Sequence, residues 1–353
     1  MSRDGLFLCP TSGDKPYISP DAPKIKPCYI PITYKMKENS EEEIDAFNLN
    51  PIEQYDKIIS VLGDDASPDE IAKHLFFSKA SPHALSQLFF NSNLFAPLFP
   101  NLFYRSPVID LLPFVDALHV LCPRVALPYT RSIFISFIKT IGETLYEQNF
   151  LEGLSFGSLC HLILCAISHS LNFLMEQPLA VNTFLDYCNS NCEVKNLGVS
   201  AISYLYKQLT EEPLILSYSF SDPRFPPRYG MSGTLSTRAG VMKTLKDVFV
   251  VIENDSLMYY TRSNKQKLLG GIPLVNIIFS SPVEKDKPYS FMISSETDEP
   301  IGFRIEKNKL IPLDKSQHIF YAKSQQSVEL WRSSIMHIAF CKMVNSIIHI
   351  SNW

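Results

Sequence analysis

The sequence predicts a multidomain chain: an all-α front, then a small antiparallel β-barrel closed by one C-terminal helix. Three observations predict it. Apolar residues keep helical spacing from Phe47 to about Leu216, alternate with a period of 2 from Met231, and the two regimes meet at a Pro-rich stretch.

Residues 1–46 mix Pro, Lys and Asp, hold neither period, and end in the acidic run Glu41, Glu42, Glu43, Asp45. They read as a flexible arm. Ile52, Tyr55, Ile58, Ile59 and Leu62 then open the helical part, residues 47–216. Ser67-Pro68-Asp69-Glu70 is a helix start, with Ser67 as cap, Pro68 at the first position and Glu70 closing a capping box. Further helices are expected near 82–90, 107–122, 128–148, 155–174, 178–190 and 197–210. Residues 217–230 hold three prolines and little periodicity, which marks a linker.

Beyond Met231 the expected strands are Val248–Ile252, Leu257–Thr261 after a turn at Asn254-Asp255, Ile272–Phe279, a strand through Ile301, Phe303 and Ile305, and His318–Ala322. Val328, Trp331, Ile335 and Ile338 share one helical face, so a single amphipathic helix closes the barrel. The barrel unit spans 231–346, and 347–353 is left as a tail.

Composition excludes several functions. With 46% hydrophobic and 19% charged residues among 353, the chain is not disordered overall. Its 13 glycines form no phosphate-cradling loop and no dinucleotide fingerprint. Residues 1–230 carry a net charge of −8 and residues 231–353 a net of +4, so neither half is basic enough to suggest nucleic acid. Cys160, Cys165 and Cys341 lie in apolar helical patterns, as reduced core thiols do. Cys188 and Cys192 have half a zinc-site spacing with no second pair, so no metal or cofactor is expected. The N-terminus lacks a signal-peptide core, and polar residues interrupt the apolar stretch Leu159–Met175, so no membrane span is expected. The composition reads as cytoplasmic.

The pattern after the linker resembles a pleckstrin homology domain over about residues 229–346. Gly233-Thr234-Leu235, Lys243-Thr244-Leu245-Lys246 with Phe249-Val250-Val251-Ile252, Leu257-Met258-Tyr259-Tyr260, and Gly271-Ile272-Pro273-Leu274 follow the order of its first four strands. Trp331 stands where the family keeps a tryptophan. The helical half is similar to the Sec-seven domain, the exchange-factor fold for Arf GTPases, paired in cytohesins with a pleckstrin homology domain. Phe47-Asn48-Leu49-Asn50-Pro51, Ser67 to Leu75, Ala117 to Pro128, Tyr204-Leu205-Tyr206 and Glu212-Pro213 carry that resemblance.

The resemblance implies a regulator of Arf-family GTPases in vesicle trafficking, recruited peripherally to membranes. It also implies a glutamate that disrupts phosphate and Mg²⁺ binding, carried in a leucine-proline-glycine-glutamate loop. Here the loop reads Leu127-Pro128-Tyr129-Thr130, so Thr130 holds the glutamate position uncharged, with Arg131 beside it. Exchange is therefore expected to be weak, and a non-catalytic scaffold binding GTPase or lipid is the alternative. The second signature becomes Ser168-His169-Ser170, before Leu171-Asn172. A hydrolytic site of Ser168, His169 and Asp186 can be drawn on paper but is disfavoured, because adjacent helical residues point about 100° apart. Phe134, Phe137, Ile138, Leu162, Ile163 and Ile167 are the candidate GTPase groove. For anionic lipid or phosphoinositide, Arg238, Lys243, Lys246, Tyr260, Arg262, Lys265 and Lys267 are the candidates. Asp247-Val248 and Leu269 replace expected arginine positions, which argues for charge-driven rather than headgroup-specific binding.

Overall fold

A computed structural model describes residues 39–350 except 64, 92–112, 148–150, 152, 175–177, 223, 229, 240–243, 262 and 283–286. Most of the expected arm, residues 1–38, lies outside the described residues. Its acidic end does not behave as an arm. Glu41–Leu49 forms helix α1, capped by a reciprocal box in which Ser40 Oγ accepts from the Glu43 amide at 3.3 Å. The Glu43 carboxylate in turn accepts from the Ser40 amide at 2.9 Å. The carboxylates of Glu41, Glu42 and Glu43 thus sit against the positive end of the helix, and Ile44 and Phe47 behind them are buried.

Helices α2 (Tyr55–Ile59), α3 (Pro68–Phe77) and α4 (Pro82–Asn91) follow, and the Ser67–Glu70 capping box is formed as the sequence predicts. After the undescribed residues 92–112 come α5 (Phe114–Leu121), α6 (Arg131–Glu147), α7 (Phe156–Leu174), α8 (Val181–Asn189), α9 (Cys192–Asn196) and α10 (Val199–Glu211). Helix α7 is the axis of this region. Its window Phe156–Phe173 is long and apolar enough to cross a membrane, yet 78% of it is buried within the fold, as in a core helix.

The strands are β1 (Ser232–Ala239), β2 (Thr244–Glu253), β3 (Ser256–Tyr260), β4 (Leu268–Pro273), β5 (Ile277–Ser280), β6 (Ser290–Ser295), β7 (Phe303–Glu306), β8 (Lys309–Pro312) and β9 (Gln317–Tyr321). They pair antiparallel in the order β5-β6-β9-β1-β2-β3-β4-β7-β8. The Asn254-Asp255 turn is present with positive φ at both residues, 49° and 56°, as a two-residue hairpin demands. The expected strand Ile272–Phe279 is two strands, broken after Pro273 and re-entering at Asn276 with φ 49°.

Helix α11, Gln325–Ile350, joins the two halves. Val328, Trp331, Ile335, Ile338 and Ala339 enter the barrel core. Met336, Phe340, Cys341, Val344, Ile347 and Ile348 enter the helical core from the other side. The residues assigned to a tail from 347 onward therefore begin inside a packed helix, with Ile347 and Ile348 buried. Residues 217–230 are also more structured than a linker. Leu127 and Tyr218 form a backbone bridge, with the Leu127 amide donating to the Ser217 carbonyl at 2.8 Å. Tyr218 and Phe220 are buried.

Because Phe340 is fully buried in the helical core while its helix begins in the barrel, Phe340→Ala should destabilise the whole chain by about 3–5 kcal/mol. Chemical denaturation followed by Trp331 fluorescence and far-UV dichroism should show one coincident, shifted transition. Two separated transitions, with only one of them moved, would mean the halves fold independently.

Candidate functional site

The loop Leu127–Thr130 leads from α5 into α6. Thr130 is exposed, and its carbonyl accepts from the Phe134 amide at 2.9 Å, so it opens the helix. Arg131 is exposed beside it. Tyr129, where the Sec-seven loop it resembles has glycine, turns inward. Its hydroxyl donates to the Ile277 carbonyl on β5 at 2.7 Å. Its ring meets Phe220 edge-on at 5.7 Å and lies 6.4 Å from Phe340. Desolvation pushes its phenol well above the usual range.

The expected groove is not an open surface. Phe134, Phe137, Ile138, Leu162, Ile163 and Ile167 are all buried. Phe134 stacks on Phe137 and takes the edge of Phe340 at 5.2 Å, while Tyr218 and Phe220 flank the same ring. At Phe134 the covering side chain is Phe340, from the second apolar face of α11, whereas Leu162 faces Phe114 and Val115 of α5, Leu205 of α10 and Leu197 just before it.

The second-signature residues are equally enclosed. Ser168 Oγ donates to Asn345 Oδ1 on α11 at 2.8 Å. Ser170 Oγ donates to the Ala166 carbonyl and accepts from the Leu214 amide, each at 3.1 Å. His169 Nε2 bonds Thr210 Oγ1 at 3.1 Å, and its ring packs against Phe184 and Tyr206. Burial lowers the His169 imidazole to about 4. It touches neither Ser168 nor Asp186 in a relay, so these three residues form packing and not a hydrolytic site.

In the barrel, Lys246 and Lys267 are exposed, whereas Lys265 is committed. The Glu253 carboxylate accepts from Lys265 Nζ and from the Tyr260 hydroxyl. Those bonds, that to Lys265 first, hold Glu253 below the usual carboxylate range. Desolvation, then Glu253, pushes Tyr260 up to about 12. Glu253 therefore offsets the charge that Lys265 and Tyr260 could present to an anion. Asp247, exposed, accepts from Ser236 Oγ at 2.6 Å and adds negative charge beside Lys246. Lys243, Arg262 and the Arg238 side chain lie outside the described residues.

A family model for the PH domain matches residues 229–339. Residues 229–339 are a pleckstrin homology (PH) domain. A search of curated proteins finds no match. Among solved structures, a chimera of the Sec7 domain of Rickettsia prowazekii RalF and the capping domain of Legionella pneumophila RalF is similar at 12% identity. It covers 87% of this chain and 94% of its own, with a TM-score of 0.43. The PH domain of human oxysterol binding protein-related protein 11 is similar at 16% identity, covering 33% of this chain and 85% of its own, TM-score 0.25. The Slm1 PH domain in complex with inositol 4-phosphate is similar at 14% identity, covering 31% and 94%, TM-score 0.23.

Several residues that build this region were not singled out in the sequence. Tyr129 and Phe340 close it, and a readable signal existed for the first: an aromatic residue in place of a loop glycine. His337 is the third. It is fully buried, with Nε2 3.2 Å from the Leu171 carbonyl and its ring edge-on to Tyr218.

Burial lowers His337 to about 4, as it does His169. Both are lowered below their unfolded value, so the unfolded chain binds more protons between pH 6.5 and 4. Stability should therefore be intact above pH 6.5 and fall as the pH drops toward 4. His337→Leu should flatten part of that slope in thermal melts taken across the window. An unchanged slope would show that His337 is not held neutral.

Proposed function

We propose that the chain is a peripheral-membrane regulator of Arf-family GTPases, built on a Sec-seven-type helical region and recruited by its PH domain. The observation that carries this reading is a helical region with the Leu127–Thr130 loop at the head of α6, followed by a PH domain at residues 229–339. Anionic membrane lipid and an Arf-type GTPase are the partners that follow.

Exchange by this protein is weak. Thr130 supplies no carboxylate against the β-phosphate, and losing about 3–4 kcal/mol of such stabilisation slows a step several hundredfold. The second reading, a non-catalytic scaffold that binds GTPase or lipid, is favoured by the filled groove. Exposing Phe340, Val344, Ile347 and Ile348 would cost roughly 6–12 kcal/mol at about 1.5–3 kcal/mol per side chain. Membrane attachment returns only about 1 kcal/mol per basic residue. A handful of lysines does not open the helix.

Two measurements test the reading. Release of labelled GDP from a panel of Arf-type GTPases should be near background with the wild-type chain, and Thr130→Glu alone should leave it there. Thr130→Glu combined with Phe340→Ala should raise release, because the carboxylate is then present and the seat of α11 over Phe134 is loosened. Robust wild-type exchange insensitive to Thr130 would sink this account. Attachment to anionic vesicles should be micromolar or weaker, fall steeply as the Debye length drops below about 10 Å, and disappear with Lys243→Glu plus Lys246→Glu. Tight, salt-resistant binding of one phosphoinositide would point instead to a specific headgroup pocket.

A further inference from the structure

The β7–β8 hairpin offers a surface that the charge-based account does not use. Leu310 is 61% exposed, more than Leu245, Val275, Ile278 or Tyr289, the other exposed large apolar residues described in the barrel. It lies opposite Ile305 in the ladder, two residues past the turn at Lys307-Asn308, where both φ values are positive. Arg304 and Glu306 neutralise each other across 3.2 Å. Lys307 and Lys309 form no ion pair among the described residues, so the tip is left positive on both sides of the turn.

Register tells which end of the barrel this tip occupies. Tyr260 pairs with Leu268, and the β3–β4 loop with exposed Lys267 lies beyond them. Gly271 pairs with Phe303 and Gly270 with Arg304, so β7 runs toward that same loop. The turn at Lys307-Asn308 therefore joins Lys246 and Lys267 at the end of the barrel where the β1–β2 and β3–β4 loops emerge.

We propose that this hairpin is a shallow apolar wedge, with Leu310 entering the interfacial layer of an anionic bilayer while Lys307 and Lys309 reach lipid phosphates. Charge complementarity selects the bilayer as occupant, and long lysine stems let apolar insertion and phosphate contact coexist. Addition of a protein strand is disfavoured, because β8 is a short edge bearing Lys309 and ending at Pro312. The unpaired backbone of that edge also limits insertion to the wet interface. This inference rests on the PH domain acting at membranes, and it adds a contribution that salt does not screen.

The test uses the full-length chain and phosphatidylcholine vesicles containing phosphatidylserine, in low and high salt. Leu310→Ser should melt at the wild-type temperature and weaken binding about tenfold, by a similar factor at both salts. Lys307→Glu with Lys309→Glu should weaken binding strongly in low salt and little in high salt. Leu310→Trp should give vesicle-dependent, blue-shifted emission above the background of Trp331 and Trp353. Equal binding by wild type and Leu310→Ser, with no emission shift from Leu310→Trp, would overturn the wedge while leaving membrane recruitment standing. Failure of the wild-type chain to bind any vesicle would overturn both.

Discussion

The seat of Phe340 is the constraint on which the rest of the arrangement depends. Its ring is buried among Phe134, Tyr218, Phe220 and Tyr129, which come from α6, the segment after α10 and the loop before α6. The same helix has already committed Trp331 and Ile335 to the barrel. A helix exposes one side to each neighbour, and α11 has given two sides away. The barrel cannot rotate against the helical region without pulling an aromatic ring from a closed core. Loss of a packed aromatic side chain costs several kcal/mol, comparable with the whole stability of many domains.

That double commitment explains what the sequence did and did not make legible. Val328, Trp331, Ile335 and Ile338 stand out as one stripe and announce a helix on a barrel. Met336, Phe340, Val344 and Ile347 form a second stripe, but apolar residues on opposite sides cancel as amphipathicity. A helix that is apolar on two sides reads as a weak one. Strands β2 and β3 were legible from β-branched runs and the Asn254-Asp255 turn, β1 only from the family resemblance, and β4 was merged with β5. Strand β6, Ser-Phe-Met-Ile-Ser-Ser, was not, because its serines Ser290, Ser294 and Ser295 are buried along with Phe291 and Ile293. Helix α1 was hidden by Glu41, Glu42 and Glu43, which resemble a solvated tail until the Ser40 cap is seen.

The sequence names candidate site residues without showing whether they lie open or covered. Thr130, Phe134 and Ile167 can be located from the sequence, but whether a groove is open depends on what the far end of the chain does. The interface that closes it is not uniformly apolar. Ser168 meets Asn345, His337 meets the Leu171 carbonyl, and Ser334 Oγ accepts from the Arg228 amide at 2.9 Å. Each such bond adds little net energy but is expensive to leave unmade once buried. Together they fix the register of α11, the first two against α7 and the third against the segment after α10, since a one-turn slide would orphan all three.

The electrostatics of the loop bear on function more sharply than the absence of one carboxylate. In the Sec-seven loop that Leu127–Thr130 resembles, a glutamate puts a negative charge at the head of this helix. Thr130 leaves that position neutral, and the exposed Arg131 makes it positive. The first amides of a 17-residue helix add partial positive charge at the same end. The sign of the field at this point is therefore inverted, not merely reduced. A loop of that polarity would stabilise a bound phosphate rather than expel it. Tyr129 adds a mechanical constraint: its ring is wedged between Phe220 and Phe340 and tethered to Ile277 on the barrel edge, where a glycine would leave the loop free to adapt. Polarity and tether both set this loop apart from the Sec-seven loop it resembles.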